Sequence, residues 1–148
     1  MSEVVRRELG DEGVKNGEIP IIVDKCLNEI EERGLFETGI YRLSGAISAI
    51  SNLKDAFDSD ASAVNLSEGD ARDVHSVSGI LKLYLRELPE PVVPYAMYPS
   101  FIQAVLIPEY EERLYAIREL VWNLPRTHFT LLRRLSEHLE KCVSIFLE

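Results

Sequence analysis

Apolar residues recur at three- and four-residue intervals along most of the chain, a period that predicts helices. The first helix is expected from Pro20, whose missing N–H suits an opening turn, with Ile22, Val23, Cys26, Leu27 and Ile30 as its buried stripe. Gly34 is placed to close it in the left-handed cap conformation. Ser44 is expected to cap a second helix carrying the stripe Ile47, Ile50, Leu53 and Phe57. The small polar residues of 58–72 read as a surface loop. A third helix is expected from its cap Asp73 to about Glu87, with Val74, Val77, Ile80, Leu81, Tyr84, Leu85 and Leu88 as its apolar stripe, and Pro89 and Pro91 end it. Three more follow over 97–106, 108–123 and 127–147, punctuated by Pro108 and Pro125. Leu114, Ile117, Leu120 and Val121 mark the inner face of the fifth, and Leu131, Leu132, Leu135, Leu139 and Val143 that of the sixth. No convincing pair of strands is present, so the fold class is all-α. Residues 1–17 are polar and broken by Gly10, Gly13 and Gly17, which makes them a flexible lead-in to a domain over 18–148.

Composition narrows the function classes. The chain has 148 residues, the size of one domain, with 16 Lys and Arg against 25 Asp and Glu and a net charge of −9. That balance argues against a nucleic-acid groove, which depends on clustered cations. No apolar run approaches the roughly 20 residues that span a bilayer, and the N-terminus lacks the apolar core of a signal peptide. Cys26 and Cys142 are isolated thiols that read as small core residues in a reducing compartment. A soluble cytoplasmic domain without membrane insertion is therefore expected.

Enzyme motifs are few. His75, His128 and His138 share no metal-ligand spacing with one another or with the cysteines, and each reads as a cap, a packing residue or a surface group. Neither a phosphate-cradling GxxxxGK[ST] nor a GxSxG occurs, which argues against an autonomous hydrolase. Two features stand apart. Arg42 lies on a short segment between Gly39 and Gly45, flanked by Tyr41 and Leu43. Its planar fork of donors suits phosphate oxygens; the plainer reading is a loop arginine paired with a carboxylate such as Glu37. Lys82 and Arg86, four residues apart, set two cations on one helix face, which is mildly unfavourable unless something acidic lies opposite. The plainer reading there is a solvated surface.

Gly39-Ile-Tyr-Arg-Leu-Ser-Gly45, followed some forty residues later by Leu81-Lys-Leu-Tyr-Leu-Arg-Glu-Leu-Pro-Glu-Pro91, resembles the Rho GTPase-activating (RhoGAP) domain family. The order and separation of the two motifs carry the likeness, which extends over about residues 18–146. It implies an all-helical bundle that binds the GTP-loaded form of Rho- and Rac-type small GTPases and speeds their hydrolysis. Such a domain is not itself an enzyme and needs no cofactor, since the GTP and Mg²⁺ belong to the partner. By motif position Arg42 is then the arginine finger, Lys82 a contact to the GTPase, and Arg86 a support that hydrogen-bonds the finger loop's backbone. Gly39 and Gly45 serve that loop's geometry. The family pattern continues past this sequence into a segment with an asparagine at the switch region and further helices. The likeness therefore implies a bundle incomplete at its C-terminus. The alternative is a non-catalytic helical module that docks on a GTPase or another protein without accelerating anything.

Overall fold

The computed structural model describes residues 19–144. The lead-in expected over 1–17 lies outside them. The described residues form six α-helices: α1 (Ile21–Arg33), α2 (Ile47–Asp60), α3 (Val74–Arg86), α4 (Tyr98–Val105), α5 (Tyr110–Trp122) and α6 (Arg126–Ser144). A short 3-10 turn, Gly69–Ala71, precedes α3, and no strand occurs among the described residues. The fold is all-α, as the periodicity predicts.

The core sits where α1 and α2 pack on α3. All five stripe residues of α1 are buried, and they meet Leu53 and Phe57 of α2 and Val74, Val77, Ile80, Leu81 and Tyr84 of α3. Burying an aliphatic or aromatic side chain stabilises by roughly 1.5–3 kcal/mol, so this three-helix contact dominates the stability of the domain. Cys26 lies within it as a fully buried thiol, and burial pushes its pKa up. Asp73 caps α3 by accepting the His75 N–H at 3.0 Å, as expected. α6 crosses α1, while α4 and α5 pair with each other. His128 meets the Val92 carbonyl through Nδ1 at 3.1 Å, tying the proline-rich segment after α3 to the start of α6.

Several expectations are corrected. Gly34 ends α1 at φ −109°, in the right-handed region; a Cβ there would lie 2.9 Å from Val74 Cγ2, so close approach rather than handedness suits glycine. Ser44 does not cap α2, which starts from Ala46 with no side-chain bond because Gly45 is drawn against α3 first. Ile47 is 88% exposed and lies outside the buried stripe of α2. Residues 58–72 are not a free loop: α2 runs on to Asp60, and Leu66 and Ala71 are buried. Lys25 Nζ donates to the carbonyls of Ser62 and Val64 at 2.6 and 2.9 Å. The Arg33 guanidinium donates to those of Leu66, Ala71 and Arg72 at 2.6–3.0 Å. Backbone carbonyls held by long cations leave no trace in a hydrophobic pattern. α5 has no fully buried residue, and the inner face of α6 is set by Leu131 and His138, with Leu139 and Val143 more than half exposed.

Candidate functional site

The segment 34–46 joins α1 to α2 across one end of α3 and presents Arg42 at its outer bend. Its shape follows from local chemistry. Gly39 has φ 75°, a left-handed conformation that L side chains rarely adopt, and its carbonyl accepts the N–H of both Arg42 and Leu43 at 2.8 Å. Gly45 lies so close to α3 that a Cβ would sit 2.5 Å from the Ser76 nitrogen. The loop is thus turned at one glycine and pressed onto a helix at the other. Between them Ile40 and Tyr41 pack against the core. Arg42 is exposed, and its guanidinium has no hydrogen-bond or ion-pair partner among the described residues. The pairing with Glu37 does not form; that carboxylate lies 3.6 Å from His75 Nε2 instead.

Lys82 projects from α3 toward this loop. Its Nζ donates to the Tyr41 carbonyl at 3.0 Å and to that of Leu43 at 3.4 Å, the two carbonyls flanking Arg42. An ammonium with three donors on a flexible stem suits two converging carbonyls. The backbone bonds expected of Arg86 are made here by Lys82, and none joins Arg86 to the loop. The reason is reach: Arg86 is the last residue of α3, about 6 Å farther along the axis than Lys82. Arg86 is exposed on the rim of a groove between α2 and α3 that Ser44, Ile47, Ile50, Lys54 and Lys82 also line. Lys54 is ion-paired with Glu87 at 2.8 Å across that groove. The like charges of Lys82 and Arg86 are therefore separated in role: one neutralises carbonyl dipoles, the other faces solvent beside an exposed isoleucine.

Behind the loop is a polar cluster that hydrophobic periodicity does not reveal. The Tyr41 hydroxyl is 2.5 Å from His138 Nε2, and the two rings meet edge to face. His138 Nδ1 is 3.0 Å from Glu31 Oε1. Glu31 also accepts from Arg134 at 2.6 Å and from Lys141 at 2.5 Å. Partial burial pushes the Glu31 carboxyl up, but the hydrogen bonds from Lys141, Arg134 and His138 outweigh it and hold the pKa at about 2. Burial lowers the pKa of His138 despite the adjacent carboxylate, so the imidazole is neutral at pH 7. Burial raises the Tyr41 phenol, which keeps its proton. The available signal was the position of His138 within the stripe of α6, three residues after Leu135. No group of metal-ligating side chains occurs among the described residues, and no helix there is long and apolar enough to cross a membrane.

These features define a class: a helical domain that offers an exposed arginine, unpaired among the described residues, from a short loop braced by its own helices. Residues 20–145 match the RhoGAP domain model, and the chain belongs to that family. Beta-chimaerin of Rattus norvegicus is 42% identical over 126 residues, covering 85% of this chain and 43% of that protein. Rho GTPase-activating protein 15 of Gallus gallus is 37% identical over 127 residues, covering 86% of this chain and 26% of that protein. The crystal structure of human Rho GTPase activating protein 15 superposes with a TM-score of 0.79 at 36% identity, over 84% of this chain and 59% of that one. The chain thus spans less than half the length of these curated relatives.

Proposed function

We propose that this domain accelerates GTP hydrolysis by a Rho- or Rac-type small GTPase, inserting Arg42 into the partner's nucleotide site. The observation that carries this reading is the exposed guanidinium, unpaired among the described residues, on a loop fixed at both ends. Family membership and a relative named as a Rho GTPase-activating protein support the choice of partner. Phosphoryl transfer spreads negative charge over the γ-phosphate and the bridging oxygen. A planar cation delivered from outside stabilises that charge chiefly in the transition state. The gain from such a finger is about 10³–10⁵-fold in rate. A loop whose conformation is set beforehand loses little entropy when the cation docks, so more of its binding energy goes into lowering the barrier.

The domain holds no nucleotide in this reading; GTP and Mg²⁺ come with the GTP-bound partner. In this reading the exposed Arg86 and Ile47 of the α2–α3 groove offer further contacts to the partner, and Lys82 acts through the loop it holds. The test is single-turnover phosphate release from GTP-loaded Rho and Rac proteins. Arg42→Ala is expected to reduce stimulation by about 10³-fold or more while the affinity for the GTP-loaded partner changes little. Equal stimulation by both forms would overturn the assignment. Binding by the unsubstituted chain with hydrolysis at the intrinsic rate would make it a docking module instead.

A further inference from the structure

We propose that His138 and Glu31 are positioning residues for Arg42, acting through the Tyr41 hydroxyl. The inference rests on the reading of Arg42 as the finger and adds the device that sets its geometry. His138 is 1% exposed, and burying an imidazole is costly unless both ring nitrogens are satisfied. Here both are. The Glu31 carboxylate is ionised and can only accept, so Nδ1 carries the proton and donates to it. A neutral imidazole with its proton on Nδ1 has an acceptor at Nε2, and the Tyr41 O–H donates there at 2.5 Å, with the Cys142 thiol, a weak donor, farther off at 3.4 Å. Arg134 and Lys141 fix the carboxylate from the same helix as His138, and Asn28 of α1 accepts from Arg134 at 2.9 Å. One tautomer and one hydroxyl direction are thereby selected over a path from α1 through α6 to the loop.

The consequence falls on the next residue. Tyr41 is held at its ring tip by His138 and at its carbonyl by Lys82, from two different helices. The Arg42 N–H is bonded to Gly39. With the preceding residue clamped at both ends and its own amide bonded, Arg42 keeps chiefly its side-chain torsions to find the nucleotide. A purely structural histidine would stabilise the fold without touching the reaction. A positioning one alters the rate of the bound complex.

The experiment is a cycle of Tyr41→Phe, Arg42→Ala and the double variant, using the 148-residue chain and a GTP-loaded Rho-family protein at saturating domain. Tyr41→Phe keeps the ring and removes only the donor. It is expected to lower the maximal single-turnover rate about tenfold with the half-saturating concentration unchanged. That lies between the effect of one net hydrogen bond and the roughly 10²-fold cost of a ~1 Å misplacement. In the Arg42→Ala background the same change is expected to have no further effect, because the network acts through the finger. Glu31→Gln, which removes the carboxylate that fixes the tautomer, is expected to shift the rate in the same direction, and thermal melts confirm that each variant folds. A normal rate for Tyr41→Phe beside a low rate for Arg42→Ala overturns this proposal and leaves the finger standing. A change in half-saturation alone, or additive losses in the double variant, also overturns it. A normal rate for Arg42→Ala overturns both readings.

Discussion

Arg42 gains its position from the two glycines that bound its loop. Gly39 supplies a left-handed bend and Gly45 a backbone-to-backbone approach to Ser76, and neither tolerates a Cβ without movement. Gly45→Ala is the sharper case because the atom it meets belongs to a helix backbone. The loop must lift from α3, and the variant is expected to lose about 1–3 kcal/mol of stability and at least about 10²-fold in stimulated hydrolysis. Chemical denaturation and single-turnover rates check the two halves separately. Phe36→Ala, on the same loop but 84% exposed, is expected to stay within about 0.5 kcal/mol of the parent. Both glycines were visible in the sequence as bounds of a short segment. The bracing atoms were not, because Lys82 reaches the loop from 39–41 residues away and its target is a pair of carbonyls.

The helices divide by how much of their stripe is buried. α1 and α3 were legible almost to the residue, since a stripe packed on both flanks leaves a strong period and the cap Asp73 marks the start of α3. Leu27→Ala is expected to cost about 2–5 kcal/mol, measured as a lowered urea midpoint at unchanged slope. Leu139→Ala on α6 is expected to cost far less, since that side chain is 52% exposed despite its place in the apolar repeat. α5 and α6 show the limit of periodicity. A repeat of leucines says that one face is apolar, but which residues are covered depends on neighbours that the pattern does not contain. On α6 a histidine bonded at both nitrogens occupies the best-buried place, and its nearest partners, Glu31 and Tyr41, lie about 100 residues away.

At the scale of the molecule, His138 and Glu31 tie stability to acid. The folded pKa of His138 is lowered from its ordinary 6.5, so the unfolded chain takes up a proton first as pH falls below that value, and stability declines. Glu31, at about 2 against an ordinary 4.5, adds a second decline as pH falls from 4.5 toward 2. Urea midpoints are expected to fall as pH drops below 6.5 and to fall again below 4.5; Glu31→Gln is expected to shrink the lower step. A midpoint that rises on acidification would contradict the assigned charge states. In the proposed function, Arg42 binds the transition state of a partner's reaction more strongly than its ground state. The direct measurement is affinity for a Rho-family GTPase loaded with GDP and aluminium fluoride, a mimic of the transferring phosphoryl group, against the same GTPase loaded with a non-hydrolysable GTP analogue. At least about 10²-fold tighter binding to the mimic is expected, with the preference abolished in Arg42→Ala. Equal affinity for the two loaded forms, or a preference that survives Arg42→Ala, would contradict it.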